Sequence, residues 1–136
     1  MTVGEIMTKN VVTVDMDDTL RTISQIFHAH RFHHLLVTKE KKLVGIISDR
    51  DFIKAMSPFL HSLSEREQDR ATLNTKAHRI MTRNPLTATQ ETSIEQASKL
   101  LVKNNISCLP VIDAGGEIEG IVTWKDILNW SIFFRI

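Results

Sequence analysis

Cysteine is nearly absent: Cys108 is the only one in 136 residues. One thiol excludes an internal disulfide framework and a multi-cysteine zinc site, and it suits a reducing compartment. An excess of charge is also lacking. Seventeen Lys and Arg face sixteen Asp and Glu, for a net charge of +1. No net field therefore draws the chain to nucleic acid or to an anionic membrane. No apolar run approaches the roughly 20 residues that span a bilayer. The opening Met1-Thr2-Val3-Gly4-Glu5 carries an acid and no apolar core. A secretion signal is not expected there, and a cytoplasmic location is. The sequence holds no glycine-rich phosphate loop, no Ser-His-Asp grouping and no paired catalytic carboxylates. What is present is an ordinary globular composition, 42% hydrophobic and 24% charged, enough for one domain or two very small ones.

The strongest positive signal is a repeat. Ile6-Met7-Thr8-Lys9-Asn10 recurs as Ile80-Met81-Thr82-Arg83-Asn84, an offset of 74. Thr13 then meets Thr87, Thr19 meets Ser93, Leu35 meets Leu109 and Val37 meets Val111. One extra residue near Ala114-Gly115-Gly116 moves the offset to 75, and Gly45-Ile46-Ile47-Ser48 meets Gly120-Ile121-Val122-Thr123. The chain divides into repeat 1 (1–56), a linker (57–76) and repeat 2 (77–136).

Each copy predicts the order β-α-β-β-α. Val11–Val14 is β-branched and reads as a short strand, echoed by Leu86–Ala88. A helix follows in each copy. In the second, Thr92 and Glu95 suit a capping box, with Ile94, Ala97, Leu100 and Leu101 on the apolar face. In the first, Asp18 or Thr19 caps Leu20, Ile23, Ile26 and Phe27. The strand pairs Leu35–Thr38 with Leu43–Ser48, and Leu109–Ile112 with Ile118–Thr123, come next, and Gly115-Gly116 suits a hairpin turn. A second helix starts near Asp49 and near Trp124. A unit of about 50 residues buries little surface by itself, so the copies are expected to share one core, sheet to sheet. Ser64-Glu65-Arg66-Glu67 predicts a solvated helix in the linker.

These residues resemble a known family. The endings Gly45-Ile46-Ile47-Ser48-Asp49-Arg50-Asp51 and Gly120-Ile121-Val122-Thr123-Trp124-Lys125-Asp126, the openings Ile6-Met7-Thr8 and Ile80-Met81-Thr82, and Leu109-Pro110-Val111 look like a CBS-domain pair, the tandem cystathionine β-synthase domains. The resemblance implies an α/β fold of two tandem β-α-β-β-α repeats packed with pseudo-twofold symmetry. It implies a regulatory module with AMP, ADP, ATP or adenosyl-methionine as regulatory ligand, bound in the cleft between repeats. No other cofactor is required, and a homodimer formed through the helices is expected.

The endings have two physical readings. In one, Ser48 and Thr123 cap helices, and Asp51 and Asp126 favour the helix dipole. In the other, each carboxylate accepts two hydrogen bonds from a ribose cis-diol, and the hydroxyl adds a third. The resemblance places His33-His34 and Ser107-Cys108 toward phosphate or adenine, and Ile46 and Ile121 against the base. It completes the pocket of Asp51 with Met81, Leu86 and Ile106, and that of Asp126 with Met7, Val12 and Phe32. Arg50, His33 and His34 favour a phosphorylated ligand at Asp51, because basic groups strengthen phosphate binding. Asp126, with Lys125, Ser107 and Cys108, takes the same ligand, a neutral adenosyl compound, or nothing. Trp124 stacks on a base or packs.

Other chemistry is less well supported. His28, His30, His33 and His34 lie close in sequence, but neither helical nor extended spacing points them at one metal, and no metal is expected. Cys108 falls in a predicted buried strand with no obvious base nearby. The end of the chain, Trp124 to Ile136, carries Ile127, Leu128, Trp130, Ile132, Phe133 and Phe134 nearly all around a helix, and a second copy is the expected cover. Three function classes follow. The first is a stand-alone adenosyl sensor acting on a separate effector protein. The second is a dimeric interaction scaffold that binds no ligand. The third, an enzyme, is supported by no residue grouping.

Overall fold

The computed structural model of the chain describes residues 1–30 and 32–134. Arg135 and Ile136, at the end of the apolar C-terminal stretch, lie outside them. In chain order the elements are α1 (Val3–Ile6), β1 (Thr13–Asp15), α2 (Leu20–Ala29), β2 (His34–Lys39), β3 (Lys42–Ser48), α3 (Asp49–Ala55), α4 (Glu67–Ala71), β4 (Thr82–Arg83), α5 (Ile94–Asn104), β5 (Cys108–Ile112), β6 (Ile118–Thr123) and α6 (Trp124–Phe133).

Hydroxyl residues fix where the helices begin. Ser48, Ser93 and Thr123 are extended in backbone, and each side chain accepts the N–H three residues on. The cap of α5 is therefore Ser93, one residue after the Thr92 expected to cap it. Thr92 instead accepts a bond from Thr89 N at 3.0 Å, tying the turn before the helix. Thr19 starts α2 without a side-chain bond, and Asp18 is drawn away to accept from Asp15 N at 2.8 Å. The linker helix also begins late. Ser64 is outside it, and Asp69 accepts from Arg66 N at 2.8 Å to hold the first turn.

The chain forms two compact units. One, here the central unit, comprises Val12–Glu40 and Val44–Asn84. The other, the C-terminal unit, comprises Met1–Val11, Lys41–Leu43 and Pro85–Ile136. Each unit thus takes the Ile-Met-Thr opening of the other sequence repeat.

A four-stranded sheet runs in the order β1-β2-β3-β4, with β1 parallel to β2 and β3 antiparallel to β4. In the central unit, Val14, Leu20, Ile23, Leu35, Val37, Ile47 and Ala77 form a buried cluster. Ile26 and Phe27 pack against it partly buried, so α2 presents the face that its 3.6-residue spacing predicts. β1 begins two residues later than the predicted strand, because Thr13 is the first residue registered with β2, opposite Leu36.

In the C-terminal unit β5 and β6 form an antiparallel pair with Leu109 opposite Val122 and Val111 opposite Gly120. Gly116, at φ 87°, turns the chain between them. Leu86–Ala88 is not a strand: only Ala88 makes a bridge, to Val111. Val3, Met7, Ala88, Ala97, Leu101, Leu109, Val111 and Val122 are buried together. Each unit thus holds a buried cluster of its own.

The first residues are stitched into this unit. Val3 N donates to Thr92 O at 2.8 Å, Gly4 N to Gln90 O at 2.9 Å, and Ile94 N to Met1 O at 3.3 Å. The Trp130 indole N–H donates to Met1 Sδ at 2.9 Å.

Candidate functional site

The two repeat endings are built alike. A strand ends in a hydroxyl residue, and its next residue starts a helix whose third position is an aspartate. In each, the residue at the start of the helix donates its N–H to the loop before the preceding strand of the hairpin. Asp49 N donates to His33 O at 2.9 Å, and Trp124 N to Ser107 O at 3.1 Å. That link holds His33 and His34 close to the start of α3, and Ser107 and Cys108 close to the start of α6.

In the central unit Asp51 Oδ2 accepts from Ser48 N at 3.1 Å, and Asp51 N donates to Ser48 Oγ at 3.1 Å. This is a capping box, so the capping reading is realised. It uses one carboxylate oxygen only. Oδ1 of Asp51 has no donor among the described residues. His33 is exposed, with its Nδ1 3.0 Å from Asp49 Oδ2. That bond, chiefly, holds the Asp49 carboxyl below the ordinary carboxylate range. His34 is half-buried, and burial pulls its pKa below the ordinary 6.5. Asp49 and Asp51 oppose the shift and His33 adds to it. Arg50 is exposed.

Ile46 pairs with Thr82 across the β3–β4 ladder, which brings Met81 to the site. A Cβ placed on Gly45 would lie 2.8 Å from Met81 Cγ and nearer still to its sulfur, so the thioether rests directly on the glycine. His33, His34, Ile46, Ser48, Arg50, Asp51 and Met81 therefore share the central unit. Leu86 and Ile106, expected beside Asp51, belong to the C-terminal unit and are 44% and 38% exposed.

In the C-terminal unit Asp126 Oδ2 accepts from Thr123 N at 2.9 Å and from Thr123 Oγ1 at 3.2 Å. The Thr8 hydroxyl adds a contact that sequence reasoning missed, 3.2 Å from Asp126 Oδ1. Its signal was available, since Thr8 closes the repeated Ile-Met-Thr opening. The same opening places Met7 over Gly120, where an added Cβ would meet Met7 Sδ at 2.9 Å. Met7, Ser107, Cys108, Ile121, Thr123, Lys125 and Asp126 share this unit, whereas Val12 and Phe32 belong to the central one. Cys108 is buried, and burial pushes its thiol up to about 12, which leaves it protonated and unreactive at neutral pH.

The histidine environment predicts a pH dependence of stability. A His pKa that is lower folded than unfolded means that the unfolded chain binds the proton more readily, so stability falls as pH drops below about 6.5. The lowered Asp49 pKa acts in the same direction but further into acid, where its contribution is lost as pH falls below about 3.8. Thermal melts between about pH 7.5 and 5.5 should show a decline in Tm that His34→Gln flattens. A decline of the same slope in His34→Gln would assign it elsewhere.

Among the described residues no helix is long and apolar enough to cross a membrane.

Comparison with known proteins bears on this geometry. The profile of the CBS domain matches residues 3–58 and again 77–132. A CBS domain-containing protein of Dictyostelium discoideum is 35% identical over 132 residues, 96% of this chain and 90% of its own. The CBS domain pair of protein MJ0100, solved in complex with 5-methylthioadenosine and S-adenosyl-L-methionine, superposes with a TM-score of 0.77. It is 30% identical, over 95% of this chain and 94% of the other. CBSX2 of Arabidopsis thaliana, solved in complex with AMP, gives a TM-score of 0.82 at 25% identity, over 99% and 98% of the two chains. The homoserine O-acetyltransferase of Methanococcus vannielii is also related, but the match covers 24% of it, and most of that enzyme lies outside.

Proposed function

Because the chain belongs to the CBS-domain family and carries the domain twice, we propose that it is a regulatory module that binds an adenine nucleotide or related adenosyl compound and passes its occupancy to a partner protein. The observation that carries this reading is Oδ1 of Asp51, which no donor among the described residues claims, at a helix start capped by Ser48 where His33 pairs with Asp49. A ribose cis-diol supplies the donors that such a carboxylate lacks. His33, His34 and Arg50 complement a phosphate on the same ligand. Support comes also from the relatives solved with AMP and with adenosyl compounds. Occupancy would then shift the population of conformers that the partner meets.

Calorimetric titration with AMP tests the reading. Asp51→Ala should weaken binding about 10- to 100-fold, the loss of one charge-assisted bond. Wild-type affinity in the Asp51→Ala/Asp126→Ala double variant would exclude the ribose assignment.

One observation favours a second reading, a homodimeric interaction scaffold. On α6, Leu128, Ile132 and Phe133 are exposed together with Trp124, and so is Phe134 at its C-cap. A tight dimer whose Tm no adenosyl ligand raises would favour that reading.

A further inference from the structure

The two aspartates that end the repeats are not equally available. Both oxygens of Asp126 have donors: Oδ2 from Thr123 N and Thr123 Oγ1, and Oδ1 from the Thr8 hydroxyl at 3.2 Å, which also lies 3.4 Å from Oδ2. Asp51 has the Ser48 N–H on Oδ2 and no donor on Oδ1 among the described residues. Thr82, which holds the place of Thr8 in the repeat, makes no side-chain hydrogen bond among the described residues.

The Thr8 hydroxyl is not on a loose end. Thr8 N donates to Ile121 O at 2.8 Å, and Ile121 N donates to Thr8 O at 2.9 Å. This bridge to β6 holds the side chain at the start of α6. Thr8 is itself exposed, so a ligand in solution competes with it on open ground. A ribose diol that engages Asp126 must share Oδ1 with the Thr8 donor, which it need not do at Asp51. Net of solvent, such a bond is worth a small multiple of thermal energy.

We propose that Thr8 is an internal competitor of the ligand: its hydroxyl takes one of the acceptor positions on the Asp126 oxygen that a ribose diol would use, so that the two carboxylates fill in order, Asp51 first. This rests on the ribose reading given above. It makes Thr8 a residue that sets the spacing between two binding steps.

The test removes the first step and watches the second. Adenosine is titrated into the full chain carrying Asp51→Ala, and into the same chain with Thr8→Val added. Valine keeps the β-branched shape and the backbone bridge while removing the donor. Binding should tighten about three- to tenfold with Thr8→Val, and Thr8→Ser in the same background should return it to the weaker value. Should the valine chain fail to fold, Thr8→Ala gives the same comparison with less bulk. Unchanged binding would overturn the proposal. Weaker binding would overturn it as well, and would make the hydroxyl a donor to the ligand. Adding Asp126→Ala to the valine chain separates the two ideas. Loss of binding there keeps the ribose reading, and retained binding removes that reading together with the role of Thr8.

Discussion

Gly120→Ala should lower stability by about 1–3 kcal/mol, and Gly45→Ala by distinctly less. The two glycines hold the same place in the repeat and lie under matched methionines, but what an added methyl would strike differs. At Gly120 the Cβ would come within 2.7 Å of the Thr8 carbonyl oxygen and 2.9 Å of Met7 Sδ. The carbonyl is backbone, fixed by the paired bonds between Thr8 and Ile121, so relief requires the strand contact to part. At Gly45 the tightest approaches are to the thioether end of Met81, which has free torsions, and the Thr82 carbonyl is at 3.0 Å. Urea melts of the two variants decide the matter. Equal costs would mean that the methionines, not the Thr8 carbonyl, set the limit. In that case Met7→Ala would rescue Gly120→Ala, which the present geometry predicts it will not.

Val3→Ala should cost about 2–3 kcal/mol. Two buried methyl groups are lost, at roughly 0.8 kcal/mol each, and a cavity remains. Val3 is 0% exposed, and it packs with Leu109, Val111 and Val122. The damage should therefore appear far along the chain. Hydrogen exchange in Val3→Ala should quicken in β5 and β6, which line that cluster, and stay unchanged in β2. Faster exchange in β2 to the same degree would show that the two buried clusters open together.

Much of the fold was legible because the signals were local. The strand Ile118–Thr123 and the helix starts at Asp49 and Trp124 stand where the sequence predicts them. At each helix start a β-branched run meets a hydroxyl residue with aspartate three positions on, and the hydroxyl takes the cap. The start of α5 was harder to place, since Thr92 and Ser93 are adjacent hydroxyls and the choice depends on Thr89 claiming the first. Leu86–Ala88 carries strand-like residues, but only Ala88 meets a partner, and a strand requires a ladder.

The least legible features were long-range. Ile6-Met7-Thr8 and Ile80-Met81-Thr82 are identical as text, so repeat arithmetic does not say which copy each packs with. At the site, the capping roles of Ser48 and Thr123 follow from their neighbours in sequence. The Thr8–Asp126 contact joins residues 118 apart, and it depends on the bridge to β6. The His33–Asp49 pair likewise depends on a hairpin bringing the two together.

The exchange of opening segments also orders events during synthesis. The central unit ends at Asn84, so every residue that it needs has been made while much of the C-terminal unit is still to come. The C-terminal unit needs Val3 and Met7 from the beginning of the chain and Leu109 and Val122 from near its other end. On a ribosome adding about 5–20 residues per second, those first residues wait several seconds for their partners. Contacts of such separation in sequence form slowly. Until then Val3, Ile6 and Met7 lack the strand residues that cover them in the folded unit.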